Sequence, residues 1–143
     1  MESSRGQKTL VTGVIGDDAH GIGMKILDHA LKKAGYKVVS LGIQTPQKEF
    51  IEAAIETSAD AILVSSHSGH AEIVCEGLRD KCTEAGLKDI LLYLGGQLTI
   101  SSDISWEELS QKFKQAGFNR ICPQTTLPGE VIAYLDEDLD ITS

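Results

Sequence analysis

The run Asp17-Asp18-Ala19-His20-Gly21-Ile22-Gly23 holds the residues of this chain best suited to chemistry. Residues two apart in an extended loop project to the same side, so the carboxylate of Asp18 can reach a ring nitrogen of His20. A carboxylate on Nδ1–H fixes the imidazole tautomer and makes Nε2 more basic, which suits it to ligate a metal. Gly21 and Gly23 have no Cβ, so a bulky planar ligand can approach the backbone closely. An exposed loop histidine paired with a nearby acid is the other reading, and Asp-x-His alone leaves both open. His29 reads as a helix-surface residue. Cys75, Cys82 and Cys122 form no C-x-x-C pair and read as small packed thiols in a reducing compartment.

What these residues can do depends on the elements that carry them, and strand-like and helix-like segments alternate throughout. Thr9 to Gly16 reads as a first strand. Ile26, Leu27, Ala30, Leu31 and Ala34 fall at helical spacing over Ile22 to Ala34, with Gly35 as the stop. Lys37 to Gly42 is a second strand, and Pro46 marks a helix start with Ile51, Ala54 and Ile55 inward. Ala61 to Ser66 is a continuous apolar run, as a central parallel strand covered on both faces needs. A third helix runs from Ala71 to Ala85 with Val74, Leu78, Cys82 and Ala85 on one stripe. Ile90 to Leu94 is strand four, followed by Gly95-Gly96. Trp106, Leu109, Phe113 and Ala116 make the stripe of helix four. Arg120 to Cys122 is a short fifth strand, and Pro128 to Leu139 a last helix with Val131, Ile132 and Leu135 inward.

Five β-α units in a row predict an α/β fold: a flavodoxin-like (Rossmann-like), doubly wound, five-stranded parallel sheet in three α/β/α layers, with strand order 2-1-3-4-5. The 143 residues fit a single domain, with residues 1–8 and 140–143 expected to be flexible. Ligands of such sheets bind beyond the carboxyl ends of the strands, near the switch point between strands one and three. The residues after strands one, three, four and five are therefore the ones to inspect.

Several users of this fold can be tested there. G-x-x-x-x-G-K-S/T and G-x-G-x-x-G are both absent after strand one. A flavodoxin wants a hydroxyl- and glycine-rich phosphate turn where this chain places two aspartates and a histidine. Asp17-Asp18 matches the acidic pair of a response-regulator receiver. That reading also needs an aspartate ending strand three and a lysine ending strand five, where Ser65-Ser66 and Cys122-Pro123 stand.

A wider pattern joins these loops. Asp18-x-His20-x-x-Gly23 after strand one, Ser65 after strand three and Gly95-Gly96 after strand four resemble the cobalamin-binding domains of base-off, His-on enzymes. Methionine synthase, methylmalonyl-CoA mutase and glutamate mutase are of this kind. The resemblance runs from about Thr9 to Leu139. Val14-Ile15-Gly16, Lys25-Ile26-Leu27-Asp28-His29 and Gly77-Leu78-Arg79-Asp80-Lys81-Cys82 are similar to the free-standing small (sigma) subunits of the glutamate mutase family.

The resemblance implies adenosylcobalamin as cofactor, with His20 as the lower axial cobalt ligand and Asp18 as its hydrogen-bond partner. The displaced nucleotide tail would enter a slot between the strand-one loop and strands three and four. Gly95 and Gly96 keep that slot open, Ser65 hydrogen-bonds the buried base, and Gln97, Leu98 and Thr99 line the path. Asp17, Ala19, Gly21, Ile22, Gly23, Ser66, His67 and Gly69 complete the implied cofactor-binding set. The family's Ser-x-Leu after strand three reads Ser65-Ser66-His67 here, which puts the packing beside the tail in doubt.

The reaction implied is radical isomerisation of L-glutamate to threo-3-methylaspartate, with the corrinoid carrying the hard chemistry. The amino-acid pocket is expected on a larger barrel subunit, in a heterotetramer of two small and two large chains, with no catalytic residue in this one. A corrinoid carrier for methyl transfer is one alternative; those proteins add a helical cap, and only about eight residues precede strand one here. A cobalamin-free flavodoxin-like signalling or metal-binding module is another, and a zinc site of His20, His67 and His70 a third.

The composition is 41% hydrophobic and 24% charged, as in soluble globular proteins, and the formal charge is −8. That balance repels phosphate backbones and speaks against a nucleic-acid partner. Apolar runs are strand-length, so no membrane partner is expected, and the first residues lack the apolar core of a secretory signal. A cytoplasmic address is the expectation. The acidic stretch Asp136-Glu137-Asp138-Leu139-Asp140 reads as a solvated helix end.

Overall fold

The structure, a computed structural model, describes residues 4–16, 21–67, 69–98 and 103–141. Five strands, β1 (Thr9–Val14), β2 (Lys37–Ser40), β3 (Ala61–Ser65), β4 (Leu91–Gly95) and β5 (Arg120–Cys122), form one parallel sheet in the order β2-β1-β3-β4-β5. This is the order expected. The all-apolar β3 is buried along its whole length at the centre, and β2 at the edge is exposed at both ends.

Helices cover both faces. α1 (Ile22–Lys33) and α6 (Pro128–Asp138) pack together on one face. There Leu31, Val131 and Leu135 meet Leu10, Leu63 and Tyr93. On the other face lie α2 (Gln47–Thr57), α3 (Ala71–Val74), α4 (Leu78–Glu84) and α5 (Trp106–Gln115), contributing Phe50, Ala54, Leu78, Leu109 and Phe113 to a larger core. Each such side chain contributes about 1.5–3 kcal/mol on leaving water.

The expected faces rotate in α1 and α2, whereas α5 keeps Leu109 and Phe113 inward as expected. In α1 the buried positions are Met24, Asp28 and Leu31, while Ile26 is 57% exposed. In α2 Phe50 replaces Ile55 as the inward residue, and in α5 Trp106 stands 41% exposed at the first helical position. Alternative 3.6-residue stripes compete along each segment, and the larger or better-placed apolar side chain wins the core. The single helix expected from Ala71 to Ala85 is two, because Gly77 takes φ +74°, a left-handed conformation that ends one helix before the next begins. Pro46 is the N-cap of α2 rather than its first residue.

The acidic end of α6 is not a bare solvated run. Asp136 accepts two hydrogen bonds from Arg5, at 3.0 and 2.6 Å, and one from Tyr36 Oη at 2.7 Å. Asp138 accepts from Arg120 at 2.7 and 2.8 Å and from the Tyr93 hydroxyl. Arg5, in a segment expected to be loose, sits in a 3-10 turn, Ser4–Gln7. Among the described residues no helix is long and apolar enough to cross a membrane.

Candidate functional site

Parallel pairing puts Val14, Ser65, Gly95 and Cys122 in one lateral row at the carboxyl edge of the sheet. Side chains alternate along strands, so Ser65, Gly95 and Cys122 face the α1/α6 layer with Leu63 and Tyr93 two residues earlier. Above them the two helices diverge, leaving a cleft of about 230 Å³. Gly23, Met24, Ile26 and Leu27 of α1 form one wall. Cys122, Pro123, Gln124, Thr126, Pro128 and Val131 form the other, and Ser65, His67, Gly95 and Gly96 close the end. No Lys, Arg, Asp or Glu is among the described residues that line it.

Two glycines keep the cleft open. A Cβ on Gly23 would meet nothing within 4 Å, and one on Gly95 would sit 3.6 Å from Cys122, in ordinary contact. Neither is demanded by the protein's own packing; a side chain at either would simply occupy space. Gly21 and Gly96 differ. A Cβ on Gly21, the N-cap of α1, would lie 2.6 Å from Ile43. Gly96 has φ +108°, and a Cβ there would lie 2.3 Å from the Ser66 carbonyl oxygen and 3.0 Å from the His67 ring.

Polar groups concentrate at the closed end. The Ser65 hydroxyl lies 2.8 Å from His67 Nε2. The Tyr93 hydroxyl is committed to Asp138, and burial pushes its pKa up. Burial likewise pushes the Cys122 thiol up to about 11, against the nearby charge of Arg120. All three cysteines are buried and free.

α1, which carries the wall, is tied to the sheet by a buried polar pair: Thr12 Oγ1 donates to Asp28 Oδ1 at 2.5 Å. Its N-cap, Gly21, and Gly16, two residues past β1, whose N–H donates to Thr45 O at 2.9 Å, bracket residues 17–20.

Of the residues singled out in the sequence, Gly23, Ser65, His67, Gly95 and Gly96 come together around this cleft. Gly21 and Ile22 border a separate groove between α1 and Ile43, with Ile22 77% exposed. Ser66 is fully buried, and its hydroxyl has no hydrogen-bond partner among the described residues. Leu98 is buried in the core of the opposite face. Gly69 and Gln97 join through Gly69 N–H to Gln97 O at 3.2 Å, away from the cleft wall. Asp17, Asp18, Ala19, His20 and Thr99 lie outside the described residues. No group of three or more His, Cys, Asp or Glu that could hold a metal occurs among the described residues. Sequence reasoning marked Pro123 to Thr126, directly after strand five, as residues to inspect, but missed Cys122, Pro128 and Val131 as part of the wall.

The B12 binding domain family matches residues 8–120. Glutamate mutase sigma subunit of Clostridium tetani is 52% identical over 94% of this chain and 98% of its own length. That of Carboxydothermus hydrogenoformans is also 52% identical, over 92% and 96%. The chain belongs to the glutamate mutase sigma-subunit family. A cobalamin-binding protein of Desulfitobacterium hafniense shares the fold of this sigma-family chain with a TM-score of 0.72 at 18% identity. It covers 91% of this chain, which spans 58% of that longer one.

An apolar slot with one polar end, kept open by Gly23 and Gly95, fits the flat heteroaromatic tail of a corrinoid.

Proposed function

We propose that this chain is the cobalamin-carrying component of a glutamate mutase, binding adenosylcobalamin base-off through His20. The observation that carries the reading is the cleft over the Ser65–Gly95–Cys122 row, at the switch-point edge that the β1–α1 loop adjoins. His20 holds the cobalt, and Asp18 fixes the tautomer of His20 and raises its basicity. Asp17, Ala19, Gly21 and Ile22 shape the seat under the corrin. Gly23, Ser65 and Gly95 would hold the tail between α1 and α6, with Ser65 against its base; Gly69, Gln97 and Thr99 would border its outer path, and Ser66 and Leu98 would back it from the opposite layer.

When bound, adenosylcobalamin supplies a homolysable cobalt–carbon bond as the radical source. This chain ligates, orients and shields the tail. The described lining of the cleft has no Lys, Arg, Asp or Glu to grip the ammonium and carboxylates of glutamate. The amino-acid pocket therefore belongs to a larger barrel subunit, in an assembly of two small and two large chains, and the small chain alone is inactive.

Cys122 provides the test, because among the three cysteines it alone lines the cleft. Labelling by a small methanethiosulfonate is followed at pH 9 with cobalamin, with cobinamide, which lacks the nucleotide tail, and without corrinoid. Protection by cobalamin and little by cobinamide is expected. Equal labelling in all three samples, with corrinoid retained on the protein, would place the tail elsewhere; no retained corrinoid would end the reading.

A further inference from the structure

The hydrogen bond between Ser65 and His67 has a polarity that decides what the closed end of the cleft can recognise. A serine hydroxyl has one proton and two lone pairs, and each imidazole nitrogen either donates or accepts. If Nε2 is bare, Ser65 spends its proton on His67 and shows the cleft only lone pairs. If Nε2 carries a proton, it donates to Ser65 Oγ, and the serine proton is released toward the cleft.

The surroundings favour the second arrangement. A base displaced from cobalt brings a ring nitrogen with a lone pair into an apolar slot. Leaving such an acceptor unpaired costs about 1–3 kcal/mol. Donors on the cleft wall are few. The Tyr93 hydroxyl is already given to Asp138, and Gln124 is exposed at the rim. Ser65 is 6% exposed and lies on the floor. The His67 ring is held in place: Gly96 brings its backbone so close that an added Cβ would stand 3.1 Å from Nε2.

We propose that His67 is a positioning residue that donates to Ser65 and so turns the serine hydroxyl into a donor aimed at the cleft. The pair thereby selects corrinoids whose tail ends in a base with an acceptor ring nitrogen over corrinoids that end in a phenolic ring. This inference rests on the cobalamin reading above and adds to it a specificity for the buried end of the tail.

The test measures dissociation constants of the full-length chain for three probes: cobalamin with its benzimidazole tail, a phenolyl cobamide, and cobinamide. Wild type is compared with His67→Leu, His67→Gln and Ser65→Ala, each checked for an unchanged thermal unfolding midpoint. Ser65→Ala is expected to weaken cobalamin about tenfold, as for one lost buried hydrogen bond, and His67→Leu about threefold, since the serine keeps its proton but loses the partner that orients it. The same variants should leave phenolyl cobamide and cobinamide within about twofold. His67→Gln, whose amide can donate to Ser65, should recover most of the loss. An equal loss for all three probes in His67→Leu would show a packing role and overturn the proposal, as would no loss for cobalamin. Should the leucine variant fold poorly, the glutamine and Ser65→Ala variants decide between the same outcomes. Failure of wild type to bind any probe would instead sink the cobalamin reading, and this inference with it.

Discussion

At the scale of residues, adjacent glycines do different work. Gly95 faces the cleft with room for a side chain, whereas Gly96 is pressed against the Ser66 carbonyl in a left-handed conformation. Gly95→Ala and Gly95→Val should therefore leave the unfolding midpoint nearly unchanged while weakening cobalamin progressively, by about tenfold or more for valine. Gly96→Ala should cost stability, about 2 kcal/mol or more, because backbone must move to admit the methyl. Thermal unfolding beside a cobalamin titration separates the two; a Gly95→Val protein that binds normally would remove the cleft from the account. The pair Gly95-Gly96 was legible in the sequence as an open place after strand four. Its division of labour was not, since that depends on the register Ser65–Gly95–Cys122 and on a contact with a residue 30 positions earlier. His67 is similar: its departure from the family pattern stood out, but its partner emerged only from the geometry.

At the scale of elements, α6 builds half of the cleft with its first turns and is anchored by its last. Asp136 and Asp138 bind Arg5 and Arg120, whose hydrogen bonds hold both carboxyls below the ordinary value of 3.8. A carboxyl with a depressed native pKa adds stability that is complete above its unfolded pKa and is lost as pH falls through the native value. The anchors should thus stabilise α6 at neutral pH and fade below about pH 4. Asp138→Asn is expected to cost about 1 kcal/mol at pH 7, and the gap to wild type should close toward pH 2 in urea unfolding. A gap that stays constant across that range would mean that the charge of Asp138 contributes nothing. The sequence showed this helix and its inward Val131 and Leu135 but hid its anchors. An acidic helix end looks solvated until folding brings Arg5, Tyr36, Tyr93 and Arg120 to it from distant parts of the chain. Helix faces were the least legible feature, since α1 and α2 each offered more than one apolar stripe.

At the scale of the whole molecule, the alternation of strands and helices indicated a parallel, doubly wound sheet; it left the order open among a few, and the expected one, 2-1-3-4-5, is the order observed. That topology places the chemistry: every loop singled out in the sequence leaves the same edge of the sheet, and the cleft opens there. Membership of the B12-binding sigma-subunit family supports cobalamin as the ligand proposed for the cleft. The proposed division between a small chain that carries the cofactor and a larger one that holds the substrate is in keeping with described cleft walls that hold no Lys, Arg, Asp or Glu. The central claim is that the base of cobalamin leaves cobalt for this cleft while His20 takes its place. Electron paramagnetic resonance of cob(II)alamin bound to protein labelled with nitrogen-15 in histidine tests it most directly. A two-line superhyperfine pattern from the labelled nitrogen, lost in His20→Ala, is the predicted result. A three-line pattern that ignores the label would show the cofactor's own base still on cobalt and contradict the account.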